Sequence, residues 1–309
     1  MEWYWILLIV IGSLFILFLL LCFIAGSYFV HLLSYPKLYD RKTCYKVDLE
    51  KKLYDSSVLN WKKETTDITM HDGYVIHGDF YPQDPKRIVI FAHGYTWARE
   101  GGIKYAKYFY RHGYSLYLYD ERGHADNRKS PCTLGYKESQ DLHEICQYLI
   151  RKYGNDIEIG LHGESMGGAT VLLELKHEKE DHLAYVIADS PFADMKELMK
   201  YQIHFYHAPS FLVEFADLNM ILFHHYSMKQ VRPYEALRDS KTPVLLIQGT
   251  DDTFIPPSHT EYLVRMRNEN CERVLFKGAE HTQSYQTDPK RYEETVEAFL
   301  SRYVNHRKE

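Results

Sequence analysis

Between Glu2 and Lys37 the chain has no lysine, arginine, aspartate or glutamate. A stretch of that composition has no charged face to offer water, and about 20 apolar residues suffice to cross a bilayer's hydrocarbon. The chain also lacks what a cleaved secretory signal needs. Its start carries Glu2 instead of a basic residue, the apolar run is too long, and no A-x-A site follows. Leu21 stands where a lipidated Cys22 would need a small residue. Cysteines are few and scattered: Cys22, Cys44, Cys132, Cys146 and Cys271, an odd number that excludes a disulfide framework and suits a reducing compartment. There is no H-E-x-x-H and no cysteine pair at metal-ligand spacing, so no metal site is expected. A net charge of −5 without a basic patch argues against nucleic acid as a partner.

What is present falls into four stretches. Residues 1–36 read as a retained transmembrane helix, with Trp3, Tyr4 and Trp5 at one interface and Tyr28 and Tyr35 at the other. Lys37, Arg41, Lys42 and Lys46 follow it and no basic residue precedes it. The positive-inside tendency therefore puts the rest of the chain in the cytoplasm. Residues 37–64 read as a charged juxtamembrane linker with some helix. From residue 65 to 309 a single large domain is expected. It opens with a hairpin, Thr65–Met70 and Tyr74–Tyr81 around His71-Asp72-Gly73. Apolar strands then alternate with helices, which implies an α/β fold with a mostly parallel, doubly wound sheet covered on both faces. Residues 194–237 break the alternation. They are rich in Phe, Tyr, Met and Leu, and read as a helical lid inserted at the carboxyl ends of the strands, where ligands bind in such sheets.

Gly163-Glu164-Ser165-Met166-Gly167 lies between an apolar strand-like run and a helix-like run. A serine in G-x-S-x-G at that corner reads as a nucleophile elbow. A hydroxyl needs a base to take its proton, and the base needs a carboxylate to orient it. Behind an elbow the acid and then the histidine follow in chain order. The strand Pro243–Gln248 ends before Asp251 and Asp252, either of which suits the acid. The next strand ends at Phe276 and is followed by His281. For the oxyanion, the N–H of Met166 and that of Tyr95, just after the strand Arg87–Ala92, are the expected donors. Thr96 and Trp97 would border the pocket. His93, His124 and His162 sit at strand ends, where they read as braces for turns, and His224 and His225 fall in the lid without metal-ligand spacing.

With these residues assembled, the chain resembles the α/β-hydrolases. Over roughly residues 45–305 it is similar to their YqkD-like membrane-anchored, peptidase S9-like subgroup. His93-Gly94-Tyr95-Thr96, Asp120–His124, the elbow, Asp189-Ser190-Pro191-Phe192 and His281–Tyr285 carry the likeness. The family's G-x-x-D pattern with a later apolar-Pro pair, laid on Gly249, Ile255 and Pro256, selects Asp252 over Asp251. The resemblance implies a serine hydrolase working through an acyl-enzyme without a cofactor. Prolyl oligopeptidase relatives carry a large propeller domain, for which the chain has no room. Ala125 departs from the glycine common among relatives after Gly123-His124, which bears on loop shape.

The expected activity is cleavage of carboxylic esters by Ser165, His281 and Asp252 on a small-molecule ester or acyl substrate. The alternatives are amide or short-peptide hydrolysis, hydrolysis of membrane lipids or acyl groups, and a scaffold role on an inactive hydrolase fold.

Overall fold

The computed structural model describes residues 2–54, 56–180, 182–267 and 269–304. The chain divides into two compact units: Met1–Pro36 with Met195–Gln230, and Lys37–Asp194 with Val231–Glu309.

The larger unit is built on an eight-stranded sheet. Its strands are β1 (Glu64–Thr65), β4 (Gly78–Tyr81), β5 (Asp84–Ala92), β6 (Tyr114–Tyr119), β7 (Glu158–Glu164), β8 (Leu183–Asp189), β9 (Val244–Gly249) and β10 (Cys271–Phe276), in the order β1-β4-β6-β5-β7-β8-β9-β10. The six from β6 to β10 are parallel, and β4 and β1 extend one edge antiparallel. The short strands β2 (Ile68–Thr69) and β3 (Val75–Ile76) form the expected hairpin, but as a separate two-stranded sheet; its outer arms become β1 and β4.

Period-two side-chain alternation explains why the parallel strands are continuously apolar. Along β5, Ile88, Ile90 and Ala92 enter one core while Val89 and Phe91 enter the other. Along β9, Val244 and Leu246 face the first core, and Leu245 and Ile247 the second. The first core is closed by α4 (Tyr136–Tyr153), α5 (Met166–Glu174), α8 (Pro233–Asp239) and α9 (Ser258–Met266). The second is closed by α3 (Ile103–Arg111), the short α10 (Ser284–Thr287) and α11 (Pro289–Tyr303). At 25 cal/mol per Å², fully burying one such aliphatic side chain is worth about 2 kcal/mol.

The structure departs from the expected linker at residues 37–64. Helix α2 (Arg41–Glu50) and the turn Ser56–Asn60 are part of the larger unit, and Leu53, Tyr54 and Val58 are buried in its second core. Arg41 pairs with Glu100 at 2.5 Å, Asp126 at 2.8 Å and Asp79 at 3.2 Å. Its charge reads as solvated in sequence because its partners lie 38 to 85 residues away.

The smaller unit consists of α1 (Trp3–Ser34), α6 (Met195–Gln202), α7 (Leu212–Asn219) and a π-helical turn, Met220–His224. Helix α1 is 32 residues long and is the one described helix long and apolar enough to cross a membrane. The insertion expected at 194–237 contributes residues 195–230 to this unit, while α8 belongs to the larger one, where Ala236 and Leu237 enter the core.

Candidate active site

Ser165 stands in the turn from β7 to α5 at φ 57°, ψ −114°, a region that side chains rarely adopt. The flanking glycines explain how the chain reaches it. A Cβ on Gly163 would lie 2.1 Å from the Gly167 carbonyl oxygen, and one on Gly167 would lie 2.2 Å from that of Ala92. No side chain fits at either position. The strained residue is also tied from behind, its N–H donating to the Asp189 carbonyl at 2.8 Å.

The neighbouring strand supplies the next loop. β5 pairs with β7 in register, Ala92 opposite Gly163, and the sheet order reverses at β5, since β6 lies on one side and β7 on the other. Crevices form at the carboxyl ends of strands at such a reversal. Gly94, Tyr95, Thr96 and Trp97 follow β5 there and line a cavity of about 450 Å³ together with Ser165, Phe254 and His281. Thr96 has φ 67°, and its N–H donates to His124 Nε2 at 3.3 Å. Met166 opens α5, so its N–H is among those without an intrahelical acceptor.

Ser165 Oγ is 2.8 Å from His281 Nε2, and His281 Nδ1 is 2.7 Å from Asp252 Oδ2. Asp252 is buried. Besides His281, its carboxylate accepts from Gln248 Nε2 at 2.7 Å and from the N–H groups of Phe254 and Ile255 at 3.0 and 2.8 Å. Asp251, the other candidate, is exposed and accepts from the Thr250 hydroxyl at 2.6 Å. Ser165, Asp252 and His281 thus come together from the ends of three strands, and Phe254 covers the imidazole with ring centroids 4.9 Å apart. A hydroxyl so placed can pass its proton to the imidazole as the oxygen attacks an electrophile, while the carboxylate stabilises the imidazolium.

His93 and His124 hold loops, whereas His162 lies within β7 and packs against helices α3 and α11 instead of bracing a turn. His93 Nδ1 donates to the Gly94 carbonyl at 2.8 Å and its Nε2 accepts from the Glu121 N–H at 2.8 Å. His124 Nδ1 donates to the Arg122 carbonyl at 3.0 Å. His162 Nε2 meets the Tyr292 hydroxyl at 3.0 Å. Burial pushes the imidazoles of His93 and His162 down to about 3, so both stay neutral. Arg122 in the same motif donates to both oxygens of Asp141, at 2.5 and 2.7 Å, and to Asp72 at 2.9 Å. That fastens the loop after β6 to α4 and the hairpin.

Several cavity residues escaped the sequence reading. Glu164, within the elbow motif, accepts from Lys104 at 2.5 Å and from the Tyr105 hydroxyl at 2.5 Å. Burial opposes the Lys104 charge, yet Glu164 and Asp48 hold its ammonium above the usual lysine range. Asp48, on α2, also lines the cavity, and burial raises its carboxyl to about 6. Cys44 and Asp48, one turn apart on α2, are both buried, while the sequence of that helix reads as charged and solvated. His143, His177 and Glu180, whose ligand atoms lie within 4.8 Å of one another, are the one group among the described residues able to hold a metal ion. They belong to α4 and the stretch after α5 and take no part in the arrangement around Ser165.

Comparison with known proteins agrees with this architecture. The model of the prolyl oligopeptidase family matches residues 119–307. The uncharacterized protein YqkD of Bacillus subtilis (strain 168) is 32% identical over 231 residues, covering 74% of this chain and 76% of its own. The uncharacterized protein YfhR of Escherichia coli (strain K12) is 24% identical over 232 residues, with 73% and 75% covered. Among solved structures, the Pyrococcus furiosus esterase Pf2001 superposes with a TM-score of 0.69 at 22% identity, over 88% of this chain and 98% of that one. The α/β hydrolase GrgF from Penicillium sp. sh18 gives 0.60 at 17%, over 79% and 99%. By its matched residues and its sheet, the chain belongs to the prolyl oligopeptidase family and is a hydrolase of the α/β-hydrolase type.

Proposed function

We propose that the chain is a serine hydrolase that cleaves carboxylic esters through an acyl-enzyme. The observation that carries this reading is the relay of 2.8 Å from Ser165 to His281 and 2.7 Å from His281 to Asp252. Ser165 Oγ attacks the ester carbonyl and His281 Nε2 takes its proton. The N–H groups of Tyr95 and Met166 hold the oxyanion, and Thr96 and Trp97 border the bound acyl group. His281 returns the proton to the leaving alkoxide. Water, activated by the same imidazole, then frees the acid. No cofactor enters these steps. Helix α1 anchors the protein in a membrane, with the hydrolase unit on the cytoplasmic side by the excess of Lys37, Arg41, Lys42 and Lys46 over the opposite end.

Short-chain p-nitrophenyl esters are the test substrates. Ser165→Ala is expected to lower kcat by on the order of 10⁴-fold or more, and a fluorophosphonate probe should label the wild type at Ser165 alone. A Ser165→Ala variant that hydrolyses at the parent rate removes the assignment. Folded wild type that takes no label would favour a scaffold role. Rates on long-chain esters and short peptides then divide lipid, simple ester and amide substrates, since an amine leaves only with firm protonation by His281.

A further inference from the structure

The smaller unit carries a surface that its own packing leaves uncovered. Phe205, Phe211, Leu218, Ile221, Leu222 and Phe223 are all exposed, Phe223 to 64%. Contiguous apolar surface of this kind marks a site of contact with a protein or a membrane. Its attachment to α1 decides between the two. Phe211 lies beside Phe18 and Phe223 beside Phe23, each pair tilted with ring centroids 6.3 Å apart. A Cβ on Gly26 would lie 2.8 Å from the Ala216 nitrogen, so α7 presses against the helix backbone there. Ser27 Oγ accepts from Asn219 Nδ2 at 2.5 Å.

These contacts can be read as depths along α1. At 1.5 Å per residue, the run from Ile6 to Ile24 spans about 28 Å, close to the hydrocarbon thickness of a bilayer. Trp3, Tyr4 and Trp5 then mark one interface and Tyr28 the other. Phe18 lies about 9 Å inside Ile24 on this scale. A segment that touches Phe18 and Phe23 is therefore at the level of the acyl chains. Its chemistry suits that level. The backbone runs as α7 and a π-turn, which bond their own N–H and C=O groups, as lipid requires. The Asp217 carboxylate is satisfied within the unit by the Ser227 hydroxyl at 2.8 Å and the Met228 N–H at 2.7 Å. Glu214, the other charged side chain between Phe211 and Leu218, is paired with Lys196 at 2.6 Å.

We infer that residues 195–230 form a second membrane-contacting element, in which Phe211, Ile221, Leu222 and Phe223 sit among the lipid acyl chains beside α1. The inference rests on α1 being a membrane span, and the occupant of the surface is the bilayer. The apolar residues of α1 meet those of the insertion at the Phe18–Phe211 and Phe23–Phe223 contacts. The element does not cross; it is a wedge held in one leaflet.

Full-length protein in phosphatidylcholine vesicles tests this. Nitroxides are placed one at a time through Phe211→Cys, Leu222→Cys and Phe223→Cys, with Ile9→Cys as a marker of the span and the exposed Lys229→Cys as a marker of water. The signal of the parent chain's own cysteines is subtracted. Collisions with oxygen, which concentrates in lipid, are compared with collisions with a water-soluble nickel chelate. At 211, 222 and 223 the oxygen-to-nickel ratio should exceed that at 229 several-fold and approach that at 9. If 222 and 223 meet nickel freely while 9 does not, the wedge is refuted and the span survives. If they meet neither quencher, a protein covers the surface and the proposal falls. If position 9 itself meets nickel, the span fails and takes the wedge with it.

Discussion

The two units of this chain use aromatic residues in opposite ways. In the hydrolase unit Tyr117, Tyr119, Tyr185, Tyr285, Tyr292, Phe91 and Phe109 are among the largest fully buried side chains. In the helical unit Trp3, Phe15, Phe18, Phe205, Phe211 and Phe223 stand exposed. The same residue type is core material in one unit and surface material in the other. Mean hydropathy over the whole chain, −0.40, averages these regimes and hides both. The difference teaches that burial can be read as stability only in the first unit.

Five substitutions sharpen or break that contrast. The largest effect is expected in the relay, where Asp252→Asn should lower kcat by on the order of 10⁴-fold, because the imidazole loses its orienting acceptor. Asp251→Asn should leave the rate near the parent value, and equal losses from both would assign the acid wrongly. Next comes the core of the hydrolase unit. Leu245→Ala, at a fully buried position on β9, should cost about 2–5 kcal/mol by denaturant titration.

A smaller gain is expected from Asp48→Asn. Burial raises the folded carboxyl to about 6 from 3.8, so its ionisation opposes folding above pH 6 and is absent below pH 3.8. The variant should gain about 3 kcal/mol at pH 7.5 and nothing at pH 3.5, read as a Tm difference that disappears on acidification. Equal Tm shifts at both pH values would remove the electrostatic explanation. The smallest effect is expected from Phe223→Ser, whose side chain has no core to leave. Stability of the folded protein in detergent should change by no more than about 0.5 kcal/mol. A loss as large as that of Leu245→Ala would mean that the helical unit is packed like the other.

Much of the fold was legible in the sequence because its causes are local. Runs such as Ile88–Ala92 and Val244–Gln248 carry β-branched and large apolar residues on both faces, as only a doubly covered strand does. The elbow was legible because two glycines and a serine must meet one steric demand. What escaped depended on distant partners. Arg41 and Asp48 look like a solvated helix until Glu100 and Lys104 are brought beside them. Asp251 and Asp252 differ by one position, and the choice between them is made by the turn that aims the N–H groups of Phe254 and Ile255 at a single carboxylate. Gly26 lies between Ala25 and Ser27 in a run of mostly large apolar residues, and its partner Ala216 is 190 residues away along the chain.

Lys104 makes the acidic residue of the elbow tolerable. Glu164 immediately precedes Ser165, the proposed nucleophile, and a lone carboxylate there would repel negative charge growing on a substrate oxygen. With the Lys104 ammonium 2.5 Å away, the two fields largely cancel a few ångströms out. A charged substrate would have to compete with that closed pair, whereas a neutral acyl group would not. On the proposed reading, a neutral acyl group is the substrate that leaves this pair intact.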